Sequence, residues 1–202
     1  MLDDTLHPLT LPLKGTRDYL HGSDIVPALF ALTGPVDKPS FQFHRMAMRP
    51  LAARRIDDAG LAELRAADEL HALMSFRDPG GAIVRVAVLP DPAGAARPPE
   101  RMAYDEAAIV AGATLDGPQI VDTRAERDNF PERVLALHKR LLNELFGNAT
   151  WLFSRLDLAH GPVAPTEIRV SFARRIGDEV FQSRIDADGI RLGTLFFSRR
   201  RS

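Results

Sequence analysis

Period-two alternation of apolar and polar residues is clearest in the last third of the chain. This pattern is typical of strands with one buried face, and short polar or glycine-containing segments between the runs are typical of turns. The predicted strands are TWLFSRLDL (150–158), TEIRVSFAR (166–174), VFQSRI (180–185) and IRLGTLFFS (190–198), with turns at IGDE (176–179) and DADG (186–189). The pattern therefore predicts four consecutive antiparallel strands.

A helix precedes these strands. In DNFPERVLALHKRLLNELFG (128–147), Asn129 is a suitable N-cap, Pro131 fits the first turn, and Gly147 is a natural stop. The apolar positions recur at helical spacing: Val134, Leu137, Leu141 and Leu145. A short strand is predicted before the helix at QIVDTRAE (119–126).

The first half repeats this order of elements. We expect Asp24 to cap a short helix with Pro27 at its third position, and Gly34 to end that helix. An additional helix without a counterpart in the second half is predicted at DDAGLAELRAAD (57–68). The predicted strands are LTLPLKG (9–15), SFQFHRMAMRPL (40–51), ELHALMSF (69–76) and AIVRVAVL (82–89).

A proline-rich segment separates the two halves. PDPAGAARPPE (90–100) contains four prolines and mostly small residues, which disfavour both helix and strand. We therefore predict an N-terminal half at 1–89, a linker at 90–102 and a C-terminal half at 103–202. The predicted fold class is α+β, with a helix and an antiparallel sheet in each half, and the two halves would form a pseudo-dimer.

The composition narrows the possible functions. The chain has 202 residues, of which 45% are hydrophobic and 26% charged, and its net charge is −1. This is typical of a globular protein and does not indicate nucleic acid or a membrane as the main partner. The absence of cysteine excludes disulfides and thiol catalysis. The acidic N-terminus does not resemble a signal peptide, so we expect a cytoplasmic protein.

One histidine stands out by its position. In RDYLHGSD (17–24), His21 directly precedes the first predicted helix, where helix N–H groups and an imidazole would meet one substrate. The alternative interpretation is a polar turn residue before a helix cap. The six histidines show no spacing that specifies a metal, and the chain has no glycine-rich phosphate loop, so we expect no metal and no cofactor.

Several segments resemble the hotdog superfamily, which includes hydroxyacyl-carrier-protein dehydratases, enoyl hydratases and acyl thioesterases. The likeness covers roughly 119–198 well and 10–89 less well. The segments that carry it are NFPERVLALHKRLLNELFG, GPVAPTEIRVSFARRIGDEVFQSRIDADG, YLHGSDIVPAL and MRPL. The resemblance implies two tandem hotdog-like units, each with a central helix wrapped by an antiparallel sheet.

The resemblance also implies where acid–base residues would lie. The dehydratase histidine would fall at Asn129, so the second half departs from the family pattern there. In the first half Asp18 or Tyr19 aligns with it, and His21 follows two or three residues later. The helix carboxylate of the dehydratases has its nearest counterpart in Glu144. We therefore expect His21 of one half and Glu144 of the other to share a single site.

Other residues complete the expected site. Asp18 and Asp128 precede their helices, where they would cap turns or pair with arginines, or activate water as in some hotdog thioesterases. Asn129 would be a helix cap or an oxyanion donor. The residues expected to contact substrate are Tyr19, Phe30, Leu137 and Leu141, the last three in an acyl-chain tunnel between the halves.

Three functions follow as alternatives. The first is a dehydratase or hydratase, ahead of a thioesterase, that acts on acyl-CoA or an acyl-carrier-protein thioester. The second is a non-catalytic protein that binds an acyl carrier or partner subunit, and the third is a structural assembly protein. The fused halves would form a monomeric pseudo-dimer or pair further into a homodimer.

Overall fold

The chain forms two compact units. The structure is a computed structural model that describes residues 3–94, 99–124 and 130–200. Unit 1 comprises Met1–Tyr104 with His160–Pro162, and unit 2 comprises Asp105–Ala159 with Val163–Ser202. The predicted linker at 90–102 ends just before this division. The arrangement expected of a pseudo-dimer stays a prediction.

Both units combine helices with antiparallel strands. The elements in chain order are β1 His7–Pro8, β2 Leu13–Lys14, α1 Gly22–Thr33, β3 Val36–Phe43, β4 Leu51–Ile56, α2 Asp58–Ala66, β5 Ala72–Arg77, β6 Ile83–Pro90, β7 Arg101–Met102, α3 Glu106–Val110, β8 Thr114–Asp116, β9 Gln119–Asp122, α4 Phe130–Phe146, β10 Trp151–Leu158, β11 His160–Gly161, β12 Ile168–Ile176, β13 Val180–Ala187 and β14 Ile190–Arg199. The predicted α+β class, with a helix and an antiparallel sheet in each half, is confirmed.

The sheet of unit 1 has the order β1-β4-β6-β5-β3, with β11 also paired to β3. Helix α1 packs against β3, where the ring of Phe30 meets the ring of Phe41 edge to face with centroids 5.4 Å apart. A separate parallel pair joins β2 to β7. The segments around residues 13 and 101, far apart in sequence, are therefore adjacent beside the beginning of α1.

The predicted start of α1 is wrong by three residues. The helix begins at Gly22 with His21 at the N-cap position, so Asp24 lies in its first turn and Pro27 lies inside the helix. Asp24 does not act as the cap because its carboxylate is 2.7 Å from Lys14 Nζ. The predicted end is confirmed, since the C-cap Gly34 has φ 72°, a conformation that favours glycine.

One long predicted strand is also wrong. The segment 40–51 splits into β3, which ends at Phe43, and β4, which begins at Leu51. The chain between them turns toward α1, where the backbone N–H of Leu20 donates to the Ala47 carbonyl at 2.8 Å. This contact draws the intervening loop to the segment that carries His21.

The additional helix α2 covers the other face of the unit 1 sheet. It begins after Asp57, whose side chain accepts a hydrogen bond from the Gly60 N–H at 2.8 Å. Six buried residues form the cluster between α2 and the strands β5 and β6: Leu61, Leu64, Leu70, Leu73, Ala87 and Leu89. The predicted helix at 57–68 is confirmed, and its cover explains why β5 is buried on both faces.

Unit 2 has the sheet order β10-β14-β13-β12-β9-β8, and α4 packs against β9 and β12. The four predicted strands of this unit are confirmed. In the turn between β13 and β14, Asp188 and Gly189 both have positive φ, as a two-residue hairpin turn requires. The sequence reasoning missed α3 and β8, which are only five and three residues long.

A buried ion cluster joins α4 to β9. Asp122 has no exposed surface and lies 3.1 Å from Arg133 Nη2 and 3.0 Å from Arg124 Nε. Burial raises the pKa of Asp122, but hydrogen bonds from Arg124 and Arg133 outweigh it and lower the pKa below its ordinary value. Arg133 also donates to the Pro165 carbonyl at 3.2 Å. The cluster therefore ties the first turn of α4 to the sheet and to the loop before β12.

Candidate functional site

His21 lies where the loop after β2 enters α1. It occupies the N-cap position with extended backbone (φ −86°, ψ 136°), and its side chain caps no backbone N–H. The residue is partly buried. The imidazole therefore stands at the end of a helix where the first N–H groups have no partner within the helix, and where negative charge is stabilised.

A chain of side-chain contacts holds the His21 ring. Its Nδ1 is 2.7 Å from the hydroxyl oxygen of Ser23, and Lys14 Nζ donates to the same oxygen at 3.3 Å. Lys14 Nζ also lies 2.7 Å from the Asp24 carboxylate. Ser23 has no exposed surface and Lys14 is only 6% exposed. Buried Ser23 and Lys14 thus anchor the imidazole of His21, which is itself more accessible.

Aromatic rings flank this anchor. The Tyr19 ring stacks on His21 with centroids 6.1 Å apart, and the tilted Tyr104 ring lies 5.9 Å from it. Lys14 Nζ is 5.2 Å and Arg17 Cζ 4.5 Å from the centroid of Tyr104. Cations over a tyrosine face are attracted by the ring quadrupole. Tyr104 therefore links the segment after β7 to the loop that carries His21.

The predicted neighbours of His21 have different surroundings. Tyr19 contacts His21 as described, whereas Asp18 is exposed on the turn before it. Asp128 and Asn129 lie outside the described residues. The roles expected for Asp18, Asp128 and Asn129 therefore stay predictions.

Glu144 is exposed near the end of α4 in unit 2. It lines a surface groove of about 690 Å³ between α3 and α4, together with Lys139 and Arg140. Lys139 pairs there with Glu106 at 2.8 Å. Because His21 belongs to unit 1, the shared His21–Glu144 site stays a prediction.

The residues expected to line an acyl tunnel are buried. Leu137 and Leu141 have no exposed surface, and Phe30 is 8% exposed. The Phe30 ring lies so close to Gly161 that an added Cβ at that glycine would be 2.3 Å from it. These three side chains are packed in the protein interior. Their role in binding an acyl chain stays a prediction.

His138 is the residue most clearly misjudged from sequence. Its place in the helical pattern, four residues before Leu142, predicts a residue on the flank of the helix, but it has no exposed surface. Its Nε2 is 2.8 Å from the Ser183 hydroxyl, its ring meets Phe197 edge to face, and its Nδ1 makes no hydrogen bond with any described residue. Burial lowers the pKa of His138 to about 3. It is therefore a neutral core residue of unit 2.

Two residues of the site escaped sequence reasoning. The sequence pattern predicts a strand at Lys14 and indicates no chemical role for either Lys14 or Ser23. The nine-residue separation between Lys14 and Ser23 does not match a motif that indicates a functional site. The turn after β2, across which Leu13 bridges to Leu20, brings Lys14 to His21 and Ser23. A local signal existed for Ser23 alone, because it stands two residues after the histidine.

Residues 3–94, 99–124 and 130–200 contain no group of three or more His, Asp or Glu side chains arranged to hold a metal ion. None of the helices there is both long and apolar enough to cross a membrane.

Comparison with known proteins gives likenesses among solved structures. No protein-family model and no curated protein matches the chain. The dehydratase domain of RzxB from Pseudomonas fluorescens aligns with 96% of this chain and 87% of its own, at 11% identity and a TM-score of 0.46. An acyl-ACP thioesterase from Bacteroides thetaiotaomicron aligns with 96% of each chain, at 9% identity and a TM-score of 0.45.

In both units a helix packs on an antiparallel sheet, α1 on β3 and α4 on β9 and β12. This agrees with the helix and sheet that the resemblance to the hotdog superfamily implies for each half. A fold alone does not determine activity, so the chemistry depends on the residues around His21.

Proposed function

We propose that the chain acts on acyl thioesters, of coenzyme A or of an acyl carrier protein, as a dehydratase or hydratase ahead of a thioesterase. His21 is the catalytic residue, which meets the thioester either by transferring a proton or by donating a hydrogen bond to its carbonyl oxygen. The observation that supports this most strongly is the His21 side chain, anchored through buried Ser23 and Lys14 at the beginning of α1. An imidazole held in one orientation at a helix N-terminus combines proton transfer with stabilisation of negative charge.

The proposed chemistry uses both features. Addition or loss of water next to a thioester moves a proton at the α carbon and another at the hydroxyl oxygen. Negative charge builds on the thioester carbonyl oxygen as the α proton leaves. N–H groups at the beginning of α1 would stabilise that charge, and histidine exchanges protons near neutral pH. Positioned proton transfer by a side chain contributes about 10²- to 10⁴-fold to a rate.

A turnover assay tests this function. The full chain is incubated with 3-hydroxyacyl, enoyl and saturated acyl thioesters of both coenzyme A and a carrier protein. We expect hydration or dehydration by the wild type and a loss of at least about 100-fold in His21→Ala. The matched control is His160→Ala, an exposed histidine on β11. Turnover that survives in His21→Ala, or none with any thioester, would reject the proposal.

A non-catalytic acyl-binding protein is the second candidate. The observation that favours it is the burial of Ser23 and Lys14, with Lys14 paired to the Asp24 carboxylate. A network whose members bond to one another also serves to hold a loop in place. Such a protein would bind an acyl thioester or its carrier without converting it. Calorimetric binding of a non-hydrolysable thioester analogue, combined with absent turnover, would establish this function over the first.

A further inference from the structure

The hydroxyl group of Ser23 constrains the proton on His21. Ser23 has no exposed surface, so water does not reach its hydroxyl. Among the described residues, its hydrogen-bond partners are Lys14 Nζ at 3.3 Å and His21 Nδ1 at 2.7 Å. A buried hydroxyl normally has an acceptor for its proton as well as donors to its oxygen.

Only one of these two partners accepts a proton. Lys14 is paired with the Asp24 carboxylate, and an ammonium group donates hydrogen bonds but accepts none. The Ser23 hydroxyl must therefore donate to His21 Nδ1. A neutral imidazole whose Nδ1 accepts a hydrogen bond has its proton on Nε2.

We infer that Ser23, itself held by Lys14, keeps the proton of neutral His21 on Nε2, so that His21 meets a thioester as a hydrogen-bond donor. Ser23 is thus a positioning residue that acts through His21. The catalytic consequence rests on the proposed function, whereas the location of the proton does not.

This tautomer changes the role of His21 in the proposed reaction. An Nε2–H group at the beginning of α1 would donate to the thioester carbonyl oxygen, beside the N–H groups of the helix. Both kinds of donor would stabilise the negative charge that builds there as the α proton leaves. Removal of that proton would then belong to a group other than neutral His21. His21→Ala would still be severely impaired, because a principal donor to the carbonyl oxygen is lost.

Nitrogen NMR locates the proton directly. The full chain is labelled with ¹⁵N, and the His21 signals are assigned by their absence from His21→Ala. Spectra are recorded over a series of increasing pH values until the His21 signals no longer change, so that the neutral ring is observed. We expect a protonated Nε2 and an unprotonated Nδ1. A protonated Nδ1 in the wild type would overturn the inference.

Serine variants connect the proton to the reaction. In Ser23→Ala the Nδ1 signal should shift, whereas Ser40→Ala, a change to a half-buried serine on β3, should leave it in place. We expect kcat to fall about tenfold to a hundredfold in Ser23→Ala with little change in KM, which is the range for losing a group that orients a functional imidazole. Ser23→Thr retains the hydroxyl and should restore most of the rate.

The outcomes separate the two proposals. An unshifted Nδ1 signal in Ser23→Ala would show that the hydroxyl does not control the ring, and would overturn the inference. A shifted signal with wild-type turnover would overturn the catalytic consequence of the inference. If no thioester is turned over by the wild type, the proposed function fails, while the spectra still decide where the His21 proton lies.

Discussion

Replacing buried His138 should change how the stability of unit 2 depends on pH. Burial lowers the pKa of this histidine from 6.5 to about 3 in the folded protein. Once unfolded, the side chain regains a pKa near 6.5 and binds a proton below that pH, whereas the folded protein does not until about pH 3. The unfolded state therefore gains protons first, and stability is lost as the pH falls from about 6.5 toward 3.

The size of the effect follows from the two pKa values. Each pH unit within this window changes the free energy of unfolding by about 1.4 kcal/mol for one titrating group. Between about pH 7.5 and pH 5, His138 should therefore remove about 2 kcal/mol of stability. Acidic groups with lowered pKa values, such as Asp122, add to the loss at lower pH, and they do so equally in wild type and variant.

The variant His138→Gln removes the titrating group and retains an amide that can bond to the Ser183 hydroxyl. Denaturant titration is followed by fluorescence of Trp151, the single tryptophan, which lies in unit 2 against Phe181. The variant will be less stable at neutral pH because a packed ring is lost, so the measured quantity is the change in unfolding free energy between the two pH values. We expect that change to be about 2 kcal/mol smaller in His138→Gln than in the wild type.

The matched control is His160→Gln, which replaces an exposed histidine. It should keep the pH dependence of the wild type. If His138→Gln also keeps that dependence, then His138 binds its proton equally well in the folded and unfolded chains. That result would refute the conclusion that this histidine is buried and neutral.

Three further substitutions test the packing of each unit by denaturant titration. Asp122→Ala leaves the buried guanidinium group of Arg133 without its carboxylate and should lower the free energy of unfolding by about 3 kcal/mol. A loss of less than about 1 kcal/mol would contradict the buried ion pair. Gly161→Ala places a Cβ 2.3 Å from the Phe30 ring and should lower the free energy of unfolding by about 1–3 kcal/mol. Adding Phe30→Leu should restore part of that loss. An unchanged stability in Gly161→Ala would contradict this close contact. Asp57→Ala removes the side-chain cap of α2 and should cost about 1 kcal/mol, and no loss would show that the cap does not stabilise the helix.

The strands of unit 2 could be predicted because local signals and long-range packing agree there. Ile168 and Val170 alternate with polar residues, and both are fully buried on one face of the sheet. Asp188 and Gly189 supply the turn conformation that the hairpin needs. Each of these signals lies within a few residues of the structure it determines.

The start of α1 could not be predicted in the same way. Asp24 is a residue type that caps helices, but its carboxylate binds Lys14, ten residues earlier in the chain. No local pattern reveals that the turn after β2 brings the lysine to this point. The same turn brings Lys14 to Ser23 and so to His21. The sequence therefore indicated His21 but not Ser23 and Lys14, which hold its side chain.

The burial of α4 explains the error at His138. An amphipathic helix on a protein surface buries one stripe, and Val134, Leu137 and Leu141 form such a stripe. In unit 2 the helix also buries Arg133 and His138, which the stripe leaves out. Buried polar residues of a helix need specific partners, which here are Asp122 for Arg133 and Ser183 for His138. The positions of these partners depend on how the sheet folds and cannot be seen in the helix sequence.

Exchange of α protons with solvent tests the central claim most directly. The full chain is incubated in D₂O with a saturated acyl thioester of coenzyme A, and loss of the α-proton signal is followed by proton NMR. The account predicts exchange well above the buffer rate for the wild type and for His160→Ala, and a rate at least about 100-fold lower for His21→Ala. Equal exchange in His21→Ala and wild type, or no exchange above buffer in any of them, would contradict it.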